Sequence, residues 1–222
     1  MTQTEMRVAA VMTAPRYEAV SARNNIQKAL SVHNIPLNIS GGVFYGQCMQ
    51  RMLSRLLEAG QVEYALTIDF DSFFSAAHIN RLLSLMAQVP GADAMTGIQA
   101  KRGVGTILGT RGKDEAVEWN GRPIKVHSAH FGLTVIKLDA LAKVPKPWFV
   151  SVPDANGEWT DERTDDDVYF WQQWEAAGNS LYLDPGCRIG HMEELVTVYD
   201  EQMQLRRIYT KDWDDYSAST VD

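Results

Sequence analysis

Cysteine, long apolar runs and positive charge are all scarce in this sequence of 222 residues. The two cysteines, Cys48 and Cys187, stand far apart and form no CxxC pair. Their spacing excludes a disulfide framework and a cysteine zinc site, and it favours a reducing compartment. The apolar run at residues 8–12 is too short for a signal-peptide core or a membrane span. We therefore expect a cytoplasmic protein with no membrane segment.

Acidic residues outnumber basic ones, since 21 Lys and Arg against 28 Asp and Glu give a formal net charge of −7. This balance provides no general attraction to nucleic acid or anionic membranes, although a local basic patch remains compatible with it. Apolar residues make up 45% of the chain and charged residues 22%, which excludes a disordered protein. The length suits one domain with a sizeable core.

The first hundred residues alternate between short apolar runs and segments of helical periodicity. Helices are predicted at about 17–30, at 43–59 and after Ser75, where Ile79, Leu82, Leu83 and Met86 share one face. Apolar runs predict strands at 8–12, 37–40, 64–68 and 94–98. This alternating order predicts an α/β fold with a mostly parallel central sheet flanked by helices.

The second half of the chain is less regular. Its predicted elements are a loop or hairpin at 101–113, a strand at 130–138 that leads into a short helix, a flexible loop at 151–163, a helix at 165–177, and short strands at 181–183 and 189–191. We expect one domain over residues 1–199, followed by a mixed-charge C-terminal tail over 200–222.

Two carboxylates, Asp69 and Asp71, stand at the end of the apolar run 64–68. Alternate residues of an extended chain share a face, so both side chains point the same way. Ligands of open parallel sheets bind beyond the carboxyl ends of the strands, and paired carboxylates there suit Mg²⁺ or Mn²⁺. The alternative is that one of them only caps the following turn.

Three consecutive aspartates at 165–167 open the helix in the second half, with Thr164 as the predicted N-cap. The positions three, four and seven after Asp167 are the apolar residues Phe170, Trp171 and Trp174. Asp167 should therefore point inward, where a carboxylate is a candidate general base. Burial would raise its pKa and the helix N-terminus would lower it, and the sequence leaves that balance open.

Histidines provide a weaker signal. His191 follows a short strand and is either a ligand or a hydrogen-bonded structural residue. His127 and His130 form an H-x-x-H, but at strand spacing these two side chains face opposite sides of the sheet. We therefore do not expect that pair to hold a metal.

Six segments, in this order, resemble the nucleotide-sugar-dependent glycosyltransferases of the GT-A (Rossmann-like) fold, particularly the large family 2-like group. They are residues 13–16, 67–71, 131–136, 147–149, 166–170 and 184–191. The resemblance covers roughly residues 6–195. It implies a single GT-A domain, with a nucleotide-binding half at about 1–100 and an acceptor half at about 101–199.

The resemblance also implies an activity: transfer of a hexosyl or pentosyl group from a nucleoside-diphosphate sugar, with a UDP-sugar as the expected donor, to an acceptor hydroxyl. A divalent cation, Mn²⁺ or Mg²⁺, would be held by His191 and by the DxD motif of Asp69 and Asp71. Asp167 matches the base of inverting members, and Asp166 stands where they carry glutamate, so the base lies at one of the two. Donor contacts are implied for Thr13, Ala14, Pro15, Arg16, Asp69, Gly132, Trp148 and Phe149.

The acceptor half carries basic residues, of which Lys101, Arg102 and Arg111 are candidates for acceptor binding. Small stand-alone enzymes of this kind also resemble those that phages use to glycosylate hydroxymethylated pyrimidines in DNA. A modified DNA base is therefore a candidate acceptor, beside a glycan or a protein side chain. The net charge of −7 instead favours a solvated charged loop.

Two other classes of function compete with a glycosyltransferase. Clustered aspartates and a histidine also suit a metal-dependent nuclease or phosphohydrolase. A non-catalytic domain that binds a nucleotide sugar is the third class. Replacing Asp167 by asparagine separates an enzyme, which would lose turnover and keep donor binding, from a pure binder, which has no turnover to lose.

Overall fold

The computed structural model describes residues 6–102, 107–108, 121–200, 202–212 and 215. The first half of the chain contains β1 (Val8–Ala14), α1 (Val20–Ser31), β2 (Leu37–Gly41), α2 (Tyr45–Ala59), β3 (Tyr64–Asp69), β4 (Ser72–Phe73), α3 (Ala76–Gln88) and β5 (Ala94–Ala100). The second half contains β6 (Ile107–Leu108), β7 (Ile124–Val126), β8 (Leu133–Lys137), α4 (Leu138–Leu141), α5 (Asp166–Ala176), β9 (Leu181–His191), β10 (Leu195–Tyr199), β11 (Leu205–Tyr209) and a short 3-10 helix (Thr210–Asp212).

The central sheet separates two hydrophobic cores. Alternate residues of β1 enter opposite cores: Met12 packs in the core that α1 and α3 cover, and Val11 in the core that α2 and α5 cover. Both faces of the central strands are thus buried, which explains why these strands appear in the sequence as continuous apolar runs. The α5 stripe of Phe170, Trp171 and Trp174 is buried, as predicted.

The helix-end signals at Gly60 and Ser75 agree with the structure, whereas the one at Thr164 does not. Gly60 ends α2 in the left-handed conformation, with φ of 59°, which a residue without a Cβ adopts at low cost. Ser75 precedes α3, and its backbone N–H donates to Nδ1 of His78 (3.0 Å). Thr164 is not the N-cap of α5, because it pairs with Val152 through two backbone hydrogen bonds of 2.9 Å, and Asp165 takes the cap position.

In the central sheet, the described strands lie side by side in the order β2-β1-β3-β8-β5-β9-β4, with β6 beside β5 and β7 beside β9. The α/β fold class with a central sheet flanked by helices is confirmed. Most strands on this path also run in one direction, as predicted: β2, β1, β3, β5 and β9 share it, and only β8 and β4 oppose them. β1 runs parallel to β2 and β3, and β5 runs parallel to β9, but β8 lies antiparallel between β3 and β5. Parallel neighbours need a crossover connection, and the described residues between β5 and β8 contain no helix that would form one.

Two segments differ from their predicted form. The segments 181–183 and 189–191 belong to one strand, β9, whose pairing with β5 shifts register between Thr96 and Ile98. Residues 184–187 bulge there, and the buried Asp184 carboxylate binds the guanidinium of Arg81 (Nη2 to Oδ1, 2.9 Å). Beyond residue 194, β10 and β11 form an antiparallel hairpin that crosses the boundary suggested at residue 199.

The predicted loop or hairpin at 101–113 lies partly outside the described residues. Within them, the backbone of β6 pairs antiparallel with the end of β5, as a hairpin does. Arg111 lies outside the described residues. Among the helices that are described, none combines the length and apolar character that crossing a bilayer requires.

Candidate functional site

A cleft of about 690 Å³ lies at the edge of the sheet where β1, β3 and β9 end. Thr13 and Asp69 are register partners on β1 and β3, and His191 closes β9 beside Ser72 of β4. The strand ends therefore place three of the predicted site residues at one edge. The lining residues are Thr13, Tyr45, Asp69, Phe70, Asp71, Lys101, Arg102, Ser128, Ala129, His130, Phe131, Asp165, Asp166, Asp167, Val168 and His191.

The two DxD carboxylates differ in their surroundings. Asp69 is half-buried at the end of β3, and the loss of water around it, followed by repulsion from Asp71, raises its pKa to about 7. Asp71 is buried, and its backbone carbonyl accepts a hydrogen bond from the N–H of Met192 (2.9 Å). This bond fixes the DxD segment to the residue that follows β9.

His191 and Arg102 meet Asp71 at the same carboxylate oxygen. His191 Nε2 lies 3.2 Å from Asp71 Oδ2, and Arg102 Nη1 lies 3.0 Å from that atom. The other ring nitrogen of His191, Nδ1, donates to the carbonyl oxygen of Ala100 (2.8 Å), which fixes the ring orientation. The hydrogen bond to Asp71 is the main cause that raises the pKa of His191.

The residues predicted to hold a metal are brought together only in part. Asp71 and His191 are in contact, and their oxygen and nitrogen atoms are a donor pair that Mn²⁺ or Mg²⁺ accepts. In the part of the chain that the structure describes, no group of three or more His, Cys, Asp and Glu side chains is arranged to hold a metal ion. The role of Asp69 as a third ligand stays a prediction.

The three aspartates at the N-terminus of α5 have separate partners. Asp165 accepts a hydrogen bond from Nε of Arg163 (2.7 Å). Asp166 is hydrogen-bonded by the backbone of Gly46 at the start of α2. Asp167 lines the cleft, and its carboxylate accepts hydrogen bonds from N–H groups of its own helix, those of Val168 (2.7 Å) and of Asp167 itself. Burial outweighs the helix N–H groups, so the pKa values of Asp166 and Asp167 are both raised.

Tyr45, at the start of α2, belongs to the cleft although no motif marks it in the sequence. Its phenol is surrounded by Asp69, Asp166 and Asp167, and burial together with these carboxylates raises its pKa well above 10.0. It therefore remains a neutral hydroxyl group that can donate a hydrogen bond. Only the packing of α2 against α5 brings it here, and that packing is a long-range feature.

Aromatic rings connect the cleft with the core below it. Phe131 lies on the cleft floor and stacks on Trp171, with ring centroids 5.2 Å apart. Phe149, a predicted donor contact, packs edge-on against Tyr45 (6.1 Å). Trp148 is buried in the core instead of lining the cleft, because its indole N–H donates to the carbonyl of Val144 (2.9 Å).

The remaining predicted residues take varied positions. Of the segment that follows Thr13, Ala14 is half-buried, and Pro15 and Arg16 are exposed at the end of β1. Gly132 is buried behind the cleft, where its N–H donates to Nδ1 of His130 (2.9 Å).

His130 is buried, whereas His127 is exposed and contacts Glu175, so the two histidines do not act together. Lys101 and Arg102 line the cleft.

Comparison with known proteins identifies the fold. No protein-family model matches the chain, and no curated protein matches it. Among solved structures, it is similar to A197 from STIV, with a TM-score of 0.61 and 16% identity over 91% of this chain and 94% of that one. It is also similar to GalNAc-T7, solved with UDP, GalNAc and Mn²⁺, with a TM-score of 0.56 and 8% identity over 84% of this chain and 44% of that one. The chain thus has a mixed α/β fold similar to that of the GT-A glycosyltransferases.

Proposed function

We propose that this protein transfers a sugar from a nucleoside-diphosphate sugar to an acceptor hydroxyl group. One observation carries the proposal: the DxD carboxylates, His191 and the acidic N-terminus of α5 line a single cleft at the end of β1, β3 and β9. GalNAc-T7, which shares the fold, was solved with UDP, GalNAc and Mn²⁺. A cleft of about 690 Å³ has the size of an ordinary small-molecule site.

The donor would lie along the ends of β1 and β3. Thr13 lines the cleft beside Asp69, and the polar side chains of both suit hydrogen bonds to the sugar or ribose hydroxyls of a nucleotide sugar. Lys101 and Arg102 supply positive charge on the same wall, which suits the diphosphate. A UDP-sugar is the donor we expect.

The chemistry of the donor set fits a divalent cation, Mn²⁺ or Mg²⁺, with Asp71 and His191 as the residues in place to hold it. His191 donates Nδ1–H to Ala100, so its neutral ring would offer the Nε2 lone pair to a cation beside the carboxylate oxygen 3.2 Å away. Without a cation, the hydrogen bond between Nε2 and Asp71 favours the protonated ring, so a bound cation would displace that proton. A bound cation would supply charge neutralisation for the leaving diphosphate.

Asp167 is the residue we propose as the base. Asp165 is paired with Arg163 and Asp166 with the backbone of Gly46, which leaves Asp167 as the member of the three that faces the cleft without such a tie. Its raised pKa makes its carboxylate a better proton acceptor than an exposed aspartate. Phe131 and the buried rings beneath it limit the access of water from below.

Thermal unfolding in the presence of ligands tests the donor side. We expect one nucleoside diphosphate or nucleotide sugar to raise the unfolding midpoint in a concentration-dependent way, and Mn²⁺ to enhance the shift. Asp71→Ala should abolish the enhancement by Mn²⁺. Asp165→Asn is the control, because it removes one charge from the same cleft and should leave the shift intact. The absence of a shift with every nucleotide would refute the proposal.

A further inference from the structure

Arg102 holds an unusual place for a surface arginine. Its guanidinium contacts Asp71 Oδ2 at 3.0 Å, although the arginine side chain is 59% exposed and the aspartate side chain only 4%. The same oxygen faces Nε2 of His191 at 3.2 Å. In the described residues, Arg102 therefore provides a positive charge at the atom that a divalent cation would bind.

The end of β5 couples this arginine to the candidate cation ligands. Ala100 is its last residue, and the Ala100 carbonyl fixes Nδ1 of His191 (2.8 Å). Arg102 follows two positions later, so the same short stretch of backbone orients one ligand and carries the guanidinium that contacts the other. A cation at Asp71 and His191 would meet the guanidinium at close range, and two like charges cannot share one carboxylate oxygen without strong repulsion.

We propose that Arg102 occupies Asp71 only in the cation-free protein and that, once a divalent cation has bound, its guanidinium moves to the diphosphate of the donor. This inference rests on the proposed function. The cation and Arg102 then compete for Asp71 in the absence of nucleotide and cooperate in its presence. Asp71 is compensated in both states, which matters because an uncompensated buried carboxylate is costly.

The chemistry of the side chain suits this exchange. More than half of the Arg102 side chain is in contact with water, so its release from Asp71 does not require a buried charge to cross the core. Its planar guanidinium donates paired hydrogen bonds to phosphate oxygens, a geometry that lysine lacks. Arg102 lines the same cleft as Thr13 and Asp69, where the donor would lie.

Mn²⁺ binding measured by electron paramagnetic resonance, without nucleotide, tests the competition. Arg102→Ala should bind Mn²⁺ about fivefold more tightly than the wild type, because the competing ion pair is lost. Lys101→Ala is the matched control, since it removes one positive charge from the same wall of the cleft but no contact with Asp71. Unchanged Mn²⁺ affinity in Arg102→Ala, or an equal gain in Lys101→Ala, would overturn the proposal.

UDP binding at saturating Mn²⁺, measured by calorimetry, tests the proposed move of the Arg102 guanidinium to the diphosphate. Arg102→Ala should weaken UDP binding by about tenfold, and Arg102→Lys should recover part of the loss. If UDP binds the wild type and Arg102→Ala equally, the role of Arg102 is wrong while the proposed function stands. If Arg102→Ala gains Mn²⁺ affinity but no nucleotide binds the wild type, the proposed function fails and the competition at Asp71 remains.

Discussion

At the scale of single residues, the cleft is a concentration of acidic groups that needs a counter-charge. Asp69, Asp71, Asp166 and Asp167 all line it, and the pKa values of Asp69, Asp166 and Asp167 are raised, mainly by burial. Such an arrangement costs stability unless a cation offsets it, and this cost suggests selection for binding or chemistry. Arg102 and a divalent cation are the compensating charges in our account.

The proposed role of Asp167 as a base leads to a prediction at the scale of one residue. Asp167→Asn should lower the rate of sugar transfer by at least about a hundredfold, because the acceptor hydroxyl loses its proton acceptor. Nucleotide affinity should change little, since the amide keeps the shape of the carboxyl group. Asp165→Asn, at the same helix end, should retain activity. Steady-state kinetics with parallel calorimetry measures both quantities, and full activity in Asp167→Asn would exclude it as the base.

His130 leads to a prediction about stability and pH. Its Nε2–H donates to the carbonyl of Gly97 and its Nδ1 accepts from Gly132, each at 2.9 Å, so the folded ring is neutral. Burial lowers its pKa from 6.5 to about 4. Between pH 4 and pH 6.5, the His130 ring is protonated in the unfolded chain and neutral in the folded one. The free energy of unfolding therefore rises with pH across this window, and above it His130 has no further effect.

As the pH falls from 6.5 to 4, the titration of His130 should therefore lower the unfolding free energy of the wild type by up to about 3 kcal/mol. His130→Gln removes this titration and should show a smaller loss over the same window, although it starts from a lower stability. Urea unfolding at a series of pH values measures the difference. Parallel curves for the two proteins would contradict the buried, neutral state of His130.

At the scale of elements, the strands of the first half of the chain and the helix α5 follow their sequence signals closely. The apolar runs become β1, β3 and β5 because both faces of each strand are covered by helices. The spacing of Phe170, Trp171 and Trp174 correctly places the buried face of α5. The apolar pattern behind these features lies within each short segment, so the sequence alone is enough to predict them.

The elements that the sequence misplaces depend on distant partners. The Pro-Gly step in β9 is typical of a turn, but Arg81 packs against Gly186 and binds Asp184, and the strand continues through a bulge. The antiparallel direction of β8 is set by its pairing with β3 and β5. The approach of Tyr45 and Arg102 to the aspartates depends in the same way on tertiary packing.

The contact between α2 and α5 leads to a prediction at this scale. A Cβ at Gly46 would lie 2.5 Å from Cβ of Phe149 and 2.9 Å from Oδ2 of Asp166. Gly46→Ala should therefore lower the unfolding free energy by about 1–3 kcal/mol and displace the candidate base helix. Gly41→Ala is the control, since its Cβ would meet only ordinary contact with Ala14 (3.7 Å). Equal stability of the two variants in urea unfolding would contradict this packing.

At the scale of the whole molecule, the sheet with its two cores is a scaffold whose strand ends form the cleft. Its likeness to A197 from STIV and to GalNAc-T7, at 16% and 8% identity, concerns the fold. A fold hosts many activities, so the function must be decided by the chemistry of the site. The proposed function therefore has to be tested by finding whether, and at which bond, the protein cleaves a nucleotide sugar.

Phosphorus NMR of a UDP-sugar incubated with the protein, Mn²⁺ and a mixture of hydroxyl acceptors answers that question most directly. A glycosyltransferase breaks the bond between the sugar carbon and the diphosphate, so we predict UDP as the phosphorus-containing product. The Asp167→Asn variant should not release UDP. A phosphohydrolase breaks a phosphorus–oxygen bond within the diphosphate. The appearance of UMP and a sugar phosphate would contradict the account.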